Sequence, residues 1–162
     1  MKNREELERL AQEVCAAIKE SGMTLSVAES CTGGLLSAAI TEVAGCSAYY
    51  KGGICSYCNE IKHRILGVRQ ETLDTYTAVS DQTAREMALG VAERFDTDLG
   101  AGITGYAGPD GGEDGTPAGT IYVAVCCRGR VRSKRLHLEP IRAQARLTAA
   151  AEVLSMLQEI AG

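Results

Sequence analysis

Apolar residues recur three and four positions apart in several stretches of the chain, which predicts amphipathic helices. The first such stretch stops near Ser21-Gly22, and Gly45 is placed to end a later one. Asn59 and Ser80 stand where residues that cap the start of a helix are expected. The predicted helices are Glu5 to Ile18, Leu35 to Val43, a short helix after Asn59, Ser80 to about Phe95, and Arg142 to Ala161.

Shorter apolar or alternating runs lie between these helices and predict strands. Arg128-Gly129 separates the last two runs and predicts a hairpin turn. The predicted strands are Thr24 to Ala28, Tyr49 to Tyr57, Leu99 to Thr104, Thr120 to Cys127 and Arg130 to Leu138. Strands that alternate with helices indicate the α/β class, and we expect a three-layer α/β/α sandwich whose sheet is mixed because of the hairpin.

Composition narrows the classes of protein further. The chain has 162 residues, with 45% hydrophobic and 23% charged, so we expect one globular domain over residues 1–162. The net charge is -4, no run of Lys or Arg occurs, and aromatic residues are 4% without any Trp, which argues against a nucleic-acid partner. No signal-peptide or membrane-spanning run is present, so we expect a cytoplasmic protein with no membrane partner.

The seven cysteines do not resemble the framework of a secreted protein, because their number is odd and Cys126 and Cys127 are adjacent. Cys55-x-x-Cys58 invites a zinc interpretation together with Cys31 and Cys46, but a second tight Cys/His pair is missing. We therefore expect reduced thiols that behave as small hydrophobic residues, and no metal site.

The residues from Gly100 to Gly105 spell G-x-G-x-x-G, the fingerprint of dinucleotide-binding folds. That fingerprint requires a strand before the glycines and a helix after them. Here the predicted strand contains the glycines, and the residues Tyr106 to Pro109 cannot open a helix. The match is therefore interpreted as accidental.

The turn from Glu29 to Gly34 joins a predicted strand to a predicted helix and is the first candidate site. Backbone amides at such a turn can hold a phosphate or an oxyanion, and Gly33-Gly34 suggests that a ligand approaches the backbone closely. The alternative is that Ser30 or Thr32 merely caps the helix.

A serine and a lysine are the economical choice for acyl-transfer chemistry in this chain. The histidines, His63 and His137, lie in no recognisable Ser-His-Asp arrangement. If Lys62 is buried and neutral, it can take a proton from a serine while Tyr57 relays or orients. The alternative is an ordinary solvated lysine.

Further candidates lie near the ends of predicted elements. Arg142, at the start of the last helix, is suited to a phosphate or is simply exposed. Thr104 is expected to donate a hydrogen bond to substrate from the end of its strand. Gly105 opens a loop rich in Gly, Pro and Asp that extends to Gly119 and has the length of a functional loop.

Several of these segments, taken in order, resemble the CinA C-terminal domain family, also called the PncC nicotinamide-nucleotide amidohydrolase family. The resemblance implies an anticodon-binding-domain-like fold and the deamidation of nicotinamide mononucleotide (NMN) to nicotinate mononucleotide and ammonia, without metal or organic cofactor. The segments that carry it are Ala28 to Gly34, Ala44 to Ala48, Ser56 to Lys62, Ala78 to Ser80, Gly105 to Gly112 and Pro117 to Thr120.

The resemblance also assigns roles to residues of this chain. The family's Ser/Tyr/Lys set falls on Ser47, Tyr57 and Lys62, and Ser30 is the rival nucleophile. Thr32, Gly33, Gly34, Thr104, Gly105 and Arg142 are expected to contact substrate. The resemblance further implies a homodimer or larger assembly, and the absence of an activity that belongs to an additional N-terminal domain of many relatives. A non-enzymatic interaction module and an amidohydrolase for another small amide remain alternatives.

Overall fold

A mixed five-stranded sheet forms the centre of the computed structural model, which describes residues 2–162. The strands are β1 (Leu25–Glu29), β2 (Tyr50–Cys55), β3 (Leu99–Gly105), β4 (Thr120–Cys127) and β5 (Arg130–His137). Their order is β2-β1-β3-β4-β5. β1 is parallel to both β2 and β3, whereas β3–β4 and β4–β5 are antiparallel pairs. The predicted mixed sheet is confirmed.

Helices cover both faces of this sheet. They are α1 (Arg4–Ser21), α2 (Leu35–Thr41), α3 (Asn59–Arg64), α4 (Gln70–Tyr76), α5 (Asp81–Phe95) and α6 (Arg142–Ala161). α1, α2 and α6 share one apolar core with one face of the sheet, and α5 packs on the other face. The three-layer α/β/α architecture is therefore confirmed. Within residues 2–162, no helix has the length and apolar character needed to span a membrane.

The helix ends show how far local sequence signals hold. Ser80 caps α5 as predicted, because its side chain accepts a hydrogen bond from the amide of Thr83. The prediction for α3 was wrong by one residue, since Cys58 occupies the cap position and Asn59 is already helical. α2 ends at Thr41 rather than Val43, and α4 was not predicted.

The two-residue turn between β4 and β5 is the predicted hairpin. Arg128 and Gly129 both have positive φ, 50° and 85°. Positive φ at both central residues matches the natural twist of a hairpin, and the second position suits glycine best.

The glycines of β3 allow α5 to pack closely on the sheet. A Cβ atom on Gly100 would lie 2.3 Å from the carbonyl oxygen of Ala88, and one on Gly102 would lie 2.6 Å from that of Ala84. Both distances are shorter than any real contact, so a side chain here would push the helix away. The letters of the dinucleotide fingerprint therefore reflect packing between helix and strand.

Candidate active site

A cavity of about 350 Å³ lies at the carboxyl ends of the three parallel strands. Ser30 follows β1, Tyr57 follows β2, and Thr104 and Gly105 end β3. The loop after β3 and the start of α6 close the remaining sides, and further lining residues are Cys31, Asn59, Lys62, Ala78, Tyr106, Ala107, Gly108, Asp110 and Arg142. Carboxyl ends of parallel strands are the usual place for ligands in α/β sheets.

Ser30 and Lys62 form a buried pair in this cavity. Three residues separate β2 from α3, and α3 brings Lys62 back under the end of β1, where the side chain is 2% exposed. Its Nζ atom donates hydrogen bonds to Ser30 Oγ at 2.9 Å and to the carbonyl oxygen of Ser56 at 2.7 Å. Burial disfavours the charged amine and lowers the pKa of Lys62 to about 8. About one amine in ten is therefore neutral at pH 7, and about half are neutral at pH 8.

The structure does not bring Ser47, the first choice of nucleophile, to this pair. Ser47 is exposed, lies in a short 3-10 turn (Cys46–Ala48) before β2, and does not line the cavity. Tyr50 at the start of β2 pairs with Leu25, and Cys55 at its end pairs with Glu29. Ser47 and Ser30 are thus separated by the length of a strand, about 16 Å at 3.3 Å per residue. Ser30, the rival nucleophile, therefore meets Lys62 in this geometry, and Ser47 does not.

The signal that separates the two serines was present in the sequence. Ser30 follows a predicted strand, whereas Ser47 precedes one. Parallel strands place their carboxyl ends at one edge of a sheet, so a residue before a strand lies at the opposite edge.

The turn after β1 does not present the anion site that its glycines suggested. The fully buried carboxylate of Glu29 accepts hydrogen bonds from the amides of Leu36 at 2.9 Å and Ser37 at 3.0 Å. It therefore occupies the donors that begin α2, in the way a capping side chain does.

The small residues of the same turn have structural roles. Thr32, Gly33 and Gly34 are not among the residues that line the cavity, and the expectation that they contact substrate stays a prediction. Gly33 and Gly34 have positive φ, 58° and 104°, which the turn requires and glycine adopts without strain.

Tyr57 and Arg142 meet at the rim of the cavity. The Arg142 guanidinium donates to the phenol oxygen of Tyr57 at 3.0 Å and to the carbonyl oxygen of Gly108 at 2.9 Å. Tyr57 is 64% exposed, and its contact with Lys62 is through the main-chain carbonyl oxygen at 3.5 Å. The phenol therefore contacts the arginine rather than the Ser30–Lys62 pair, unlike the relay that the sequence suggested.

Thr104 lines the cavity, and the hydrogen of its hydroxyl already has a partner. Its hydroxyl donates to the carbonyl oxygen of Ala78 at 2.6 Å, and the residue is 1% exposed. Gly105 also lines the cavity, and a Cβ atom there would meet Ile121 of β4 at 2.6 Å.

Cys31, next to Ser30, is not a competing nucleophile. Burial raises the pKa of its thiol to about 11, so the thiol remains protonated near neutral pH. Cys55 and Cys58 are exposed and free. Among residues 2–162, no three His, Cys, Asp or Glu side chains are grouped as a metal site requires.

Two further residues that support the site were missed from the sequence. The Ser56 hydroxyl donates to the carbonyl oxygen of Glu29 at 3.1 Å, while its own carbonyl receives Lys62. Arg146 donates to the carbonyl oxygens of Cys31 and Thr32 at 3.1 and 2.8 Å. Arg146 lies one helical turn after Arg142, and this i, i+4 spacing was the available signal.

These features define an α/β/α protein with a serine–lysine pair in a cavity at the sheet's carboxyl edge. The model of the CinA C-terminal domain family matches residues 7–161. The chain therefore belongs to that family. Two solved structures agree: CinA superfamily proteins from Klebsiella pneumoniae (TM-score 0.93, 37% identity, 98% of this chain and 97% of that one) and Escherichia coli (TM-score 0.93, 35% identity, 98% and 94%).

Curated relatives fall into two groups by length. A CinA-like protein of Syntrophomonas wolfei is 43% identical over 90% of this chain, but the match covers 35% of that protein. The chain spans about a third of the length of several such relatives. A protein named nicotinamide-nucleotide amidohydrolase PncC, from Enterobacter agglomerans, is 43% identical over 89% of this chain and 88% of its own length.

Proposed function

We propose that this protein hydrolyses the carboxamide of nicotinamide mononucleotide to give nicotinate mononucleotide and ammonia, with Ser30 as nucleophile and Lys62 as its base. The observation that carries the proposal is the contact of 2.9 Å between Ser30 Oγ and the buried amine of Lys62. The name of the relative from Enterobacter agglomerans supports the choice of substrate. The reaction needs no metal and no organic cofactor.

The proposed chemistry proceeds through an ester on Ser30. Neutral Lys62 removes the hydroxyl proton while Ser30 Oγ bonds to the carboxamide carbon, and we expect the backbone amides of two cavity-lining residues, Cys31 and Ala107, to stabilise the oxyanion. Lys62 then gives its proton to the amide nitrogen, the C–N bond breaks, and ammonia leaves. Water attacks the ester carbon while Lys62 takes one of its protons, Lys62 returns that proton to Ser30 Oγ as the ester C–O bond breaks, and the carboxylic acid loses its remaining proton to solvent.

Arg142 is the proposed contact for the substrate phosphate. It lies at the rim of the cavity and uses two of its five N–H groups on Tyr57 and Gly108, which fixes the guanidinium and leaves other donors free. Nicotinamide riboside lacks the phosphate, and we expect it to be hydrolysed much less efficiently than the mononucleotide. Assembly into a homodimer or larger oligomer remains a prediction from the family resemblance.

Ammonia release from nicotinamide mononucleotide by matched serine variants tests the proposal. We expect Ser30→Ala to lower kcat by roughly a thousandfold or more, because the nucleophile is lost. Ser47→Ala is the control, and we expect its activity to equal that of the wild type because Ser47 is exposed at the opposite edge of the sheet. Full activity of Ser30→Ala would rule out the proposed nucleophile.

The choice of substrate is tested by the same assay. Nicotinamide mononucleotide, nicotinamide riboside and free nicotinamide are compared with the wild-type protein. Ammonia from none of them contradicts the proposed function and favours a binding module, whereas equal release from all three contradicts the role of Arg142.

A further inference from the structure

Thr104 lines the same cavity as the proposed nucleophile and lies on β3, the strand next to β1. Ala28 of β1 pairs with Gly102 of β3 in parallel register. Ser30 follows the last residue of β1 and Thr104 lies next to the last residue of β3, so both stand at the carboxyl edge of these two neighbouring strands. Both residues line the cavity. A carboxamide in this cavity with its carbon at Ser30 can therefore turn its nitrogen toward Thr104.

The hydroxyl of Thr104 has one hydrogen, and the structure shows where it points. The partner is the carbonyl oxygen of Ala78 at 2.6 Å, and a carbonyl oxygen can only accept. Thr104 is 1% exposed, so turning the hydrogen elsewhere would break a hydrogen bond that bulk water does not readily replace. Thr104 therefore presents the lone pairs of its oxygen, an acceptor, to a ligand in the cavity.

We propose that Thr104 selects a carboxamide over a carboxylate by accepting a hydrogen bond from the carboxamide nitrogen, an inference that rests on the proposed function. A carboxamide carries two N–H donors, whereas an ionised carboxylate carries none. A carboxylate oxygen at the same place would face the lone pairs of Thr104. The acid product is thus held less tightly than the amide substrate, although Lys62 and Arg142 attract its negative charge.

The same contact acts on the leaving group. The amide nitrogen receives a proton from Lys62 before the C–N bond breaks, so its N–H groups become stronger donors as the reaction proceeds. A hydrogen bond that strengthens on the way to the transition state raises kcat as well as affinity. Thr104 therefore both favours the amide over the acid and raises kcat.

Two variants at this position separate the hydroxyl from the shape of the side chain. Thr104→Val keeps the branched shape and removes the acceptor, whereas Thr104→Ser keeps the hydroxyl. We expect Thr104→Val to lower kcat/KM for nicotinamide mononucleotide roughly ten- to a hundredfold, the range of one buried hydrogen bond. Thr104→Ser should recover most of that loss.

The decisive readout is the ratio of two dissociation constants, measured by calorimetry in the inactive Ser30→Ala background. With Thr104 present, nicotinamide mononucleotide should bind roughly tenfold or more tightly than nicotinate mononucleotide. With Thr104→Val the ratio should approach one, and Thr104→Ser should restore it. If Thr104 had only a structural role, Thr104→Val would weaken the binding of both mononucleotides equally. A ratio of dissociation constants that Thr104→Val leaves unchanged would therefore overturn the inference.

The outcomes separate this inference from the proposed function. If the wild type releases no ammonia but binds the amide in preference to the acid, and Thr104→Val abolishes that preference, the selection stands and the hydrolase proposal fails. If the wild type is active and the ratio of dissociation constants is the same with Thr104 and with Thr104→Val, the selection alone fails. If neither mononucleotide binds, both are overturned.

Discussion

Lys62 is among the largest fully buried side chains of the protein, and it is the one among them that carries a charge. Lysine is rarely buried without a carboxylate partner, because its charged form loses hydration that neutral groups do not fully replace. Here the partners are the hydroxyl of Ser30 and the carbonyl oxygen of Ser56. Neutral partners allow the amine to deprotonate more easily, which is the property a base requires.

The dependence of activity on pH should report this amine. Burial lowers the pKa of Lys62 to about 8, and the neutral form is the base. We therefore expect kcat/KM for nicotinamide mononucleotide to rise about tenfold per pH unit below pH 8 and to level off above it. Ammonia release measured between pH 6.5 and about 9.5 checks this. A profile that is flat across the range contradicts the role of Lys62 as base.

At the scale of elements, the connection from β1 to α2 determines where Ser30, the proposed nucleophile, lies. Glu29 binds the first amides of α2 through its side chain, and its carbonyl oxygen receives the amide of Ser56 at 2.8 Å. Ser30 follows directly, and the carbonyl of Ser56 in turn holds Lys62. Glu29 therefore anchors the turn that carries Ser30 and, through Ser56, the segment that holds Lys62.

Glu29→Gln should disturb this arrangement while keeping the size of the side chain. An amide group offers one acceptor where the carboxylate offers two, so either Leu36 or Ser37 loses its partner. We expect kcat to fall roughly ten- to a hundredfold with a small change in KM, because the nucleophile is displaced rather than removed. Steady-state ammonia release measures both constants.

Asp98→Asn provides the matched control for Glu29→Gln. Asp98 accepts a hydrogen bond from the amide of Thr24 at 2.9 Å, at the edge of the sheet opposite the cavity. The Asp98→Asn variant should lose about as much thermal stability as Glu29→Gln and should keep the kcat of the wild type. Equal loss of kcat in both variants would indicate general destabilisation instead of positioning.

At the scale of the whole molecule, sheet order assembles the site from distant segments. β1 lies between β2 and β3, so the segments after all three strands meet at one edge. α6 closes that edge from the other end of the chain, with Arg142 holding Tyr57 and Gly108 and with Arg146 holding the turn after Ser30.

The burial of Lys62 should also make the unfolding free energy of the protein depend on pH. Its pKa is about 8 in the folded protein against 10.5 for an ordinary lysine, so between these pH values the unfolded chain binds more protons. The free-energy cost of burying the Lys62 amine is fully present below pH 8 and decreases as the pH rises toward 10.5. The unfolding free energy of the wild type, relative to Lys62→Met, should increase with pH by up to about 1.4 kcal/mol per unit in this interval.

Chemical denaturation of both proteins at several pH values from 7 to about 10 tests this expectation. Taking the difference removes the contributions of groups that titrate in the same way in the two proteins. A difference that is independent of pH would show that burial does not depress the pKa of Lys62.

Local signals explain which parts of the fold were predictable. The α5 cap at Ser80 and the hairpin at Arg128-Gly129 depend on neighbouring residues, so the sequence indicated both. α4 was missed, and the end of α2 was placed two residues late. Their boundaries depend on packing against other elements more than on a strong cap or period.

The sequence by itself determined the α/β class, the order of most elements, and the set of residue types from which the site is built, because helical and strand periods are properties of short segments. The tertiary structure decided that Ser30 rather than Ser47 meets Lys62, that Glu29 fills the start of α2, and that the Thr104 hydroxyl donates to Ala78. Each of these contacts depends on which strands are neighbours in the sheet and on which donors and acceptors are already hydrogen-bonded. Contacts of that kind join residues far apart in the chain, and spacing along the sequence does not encode them.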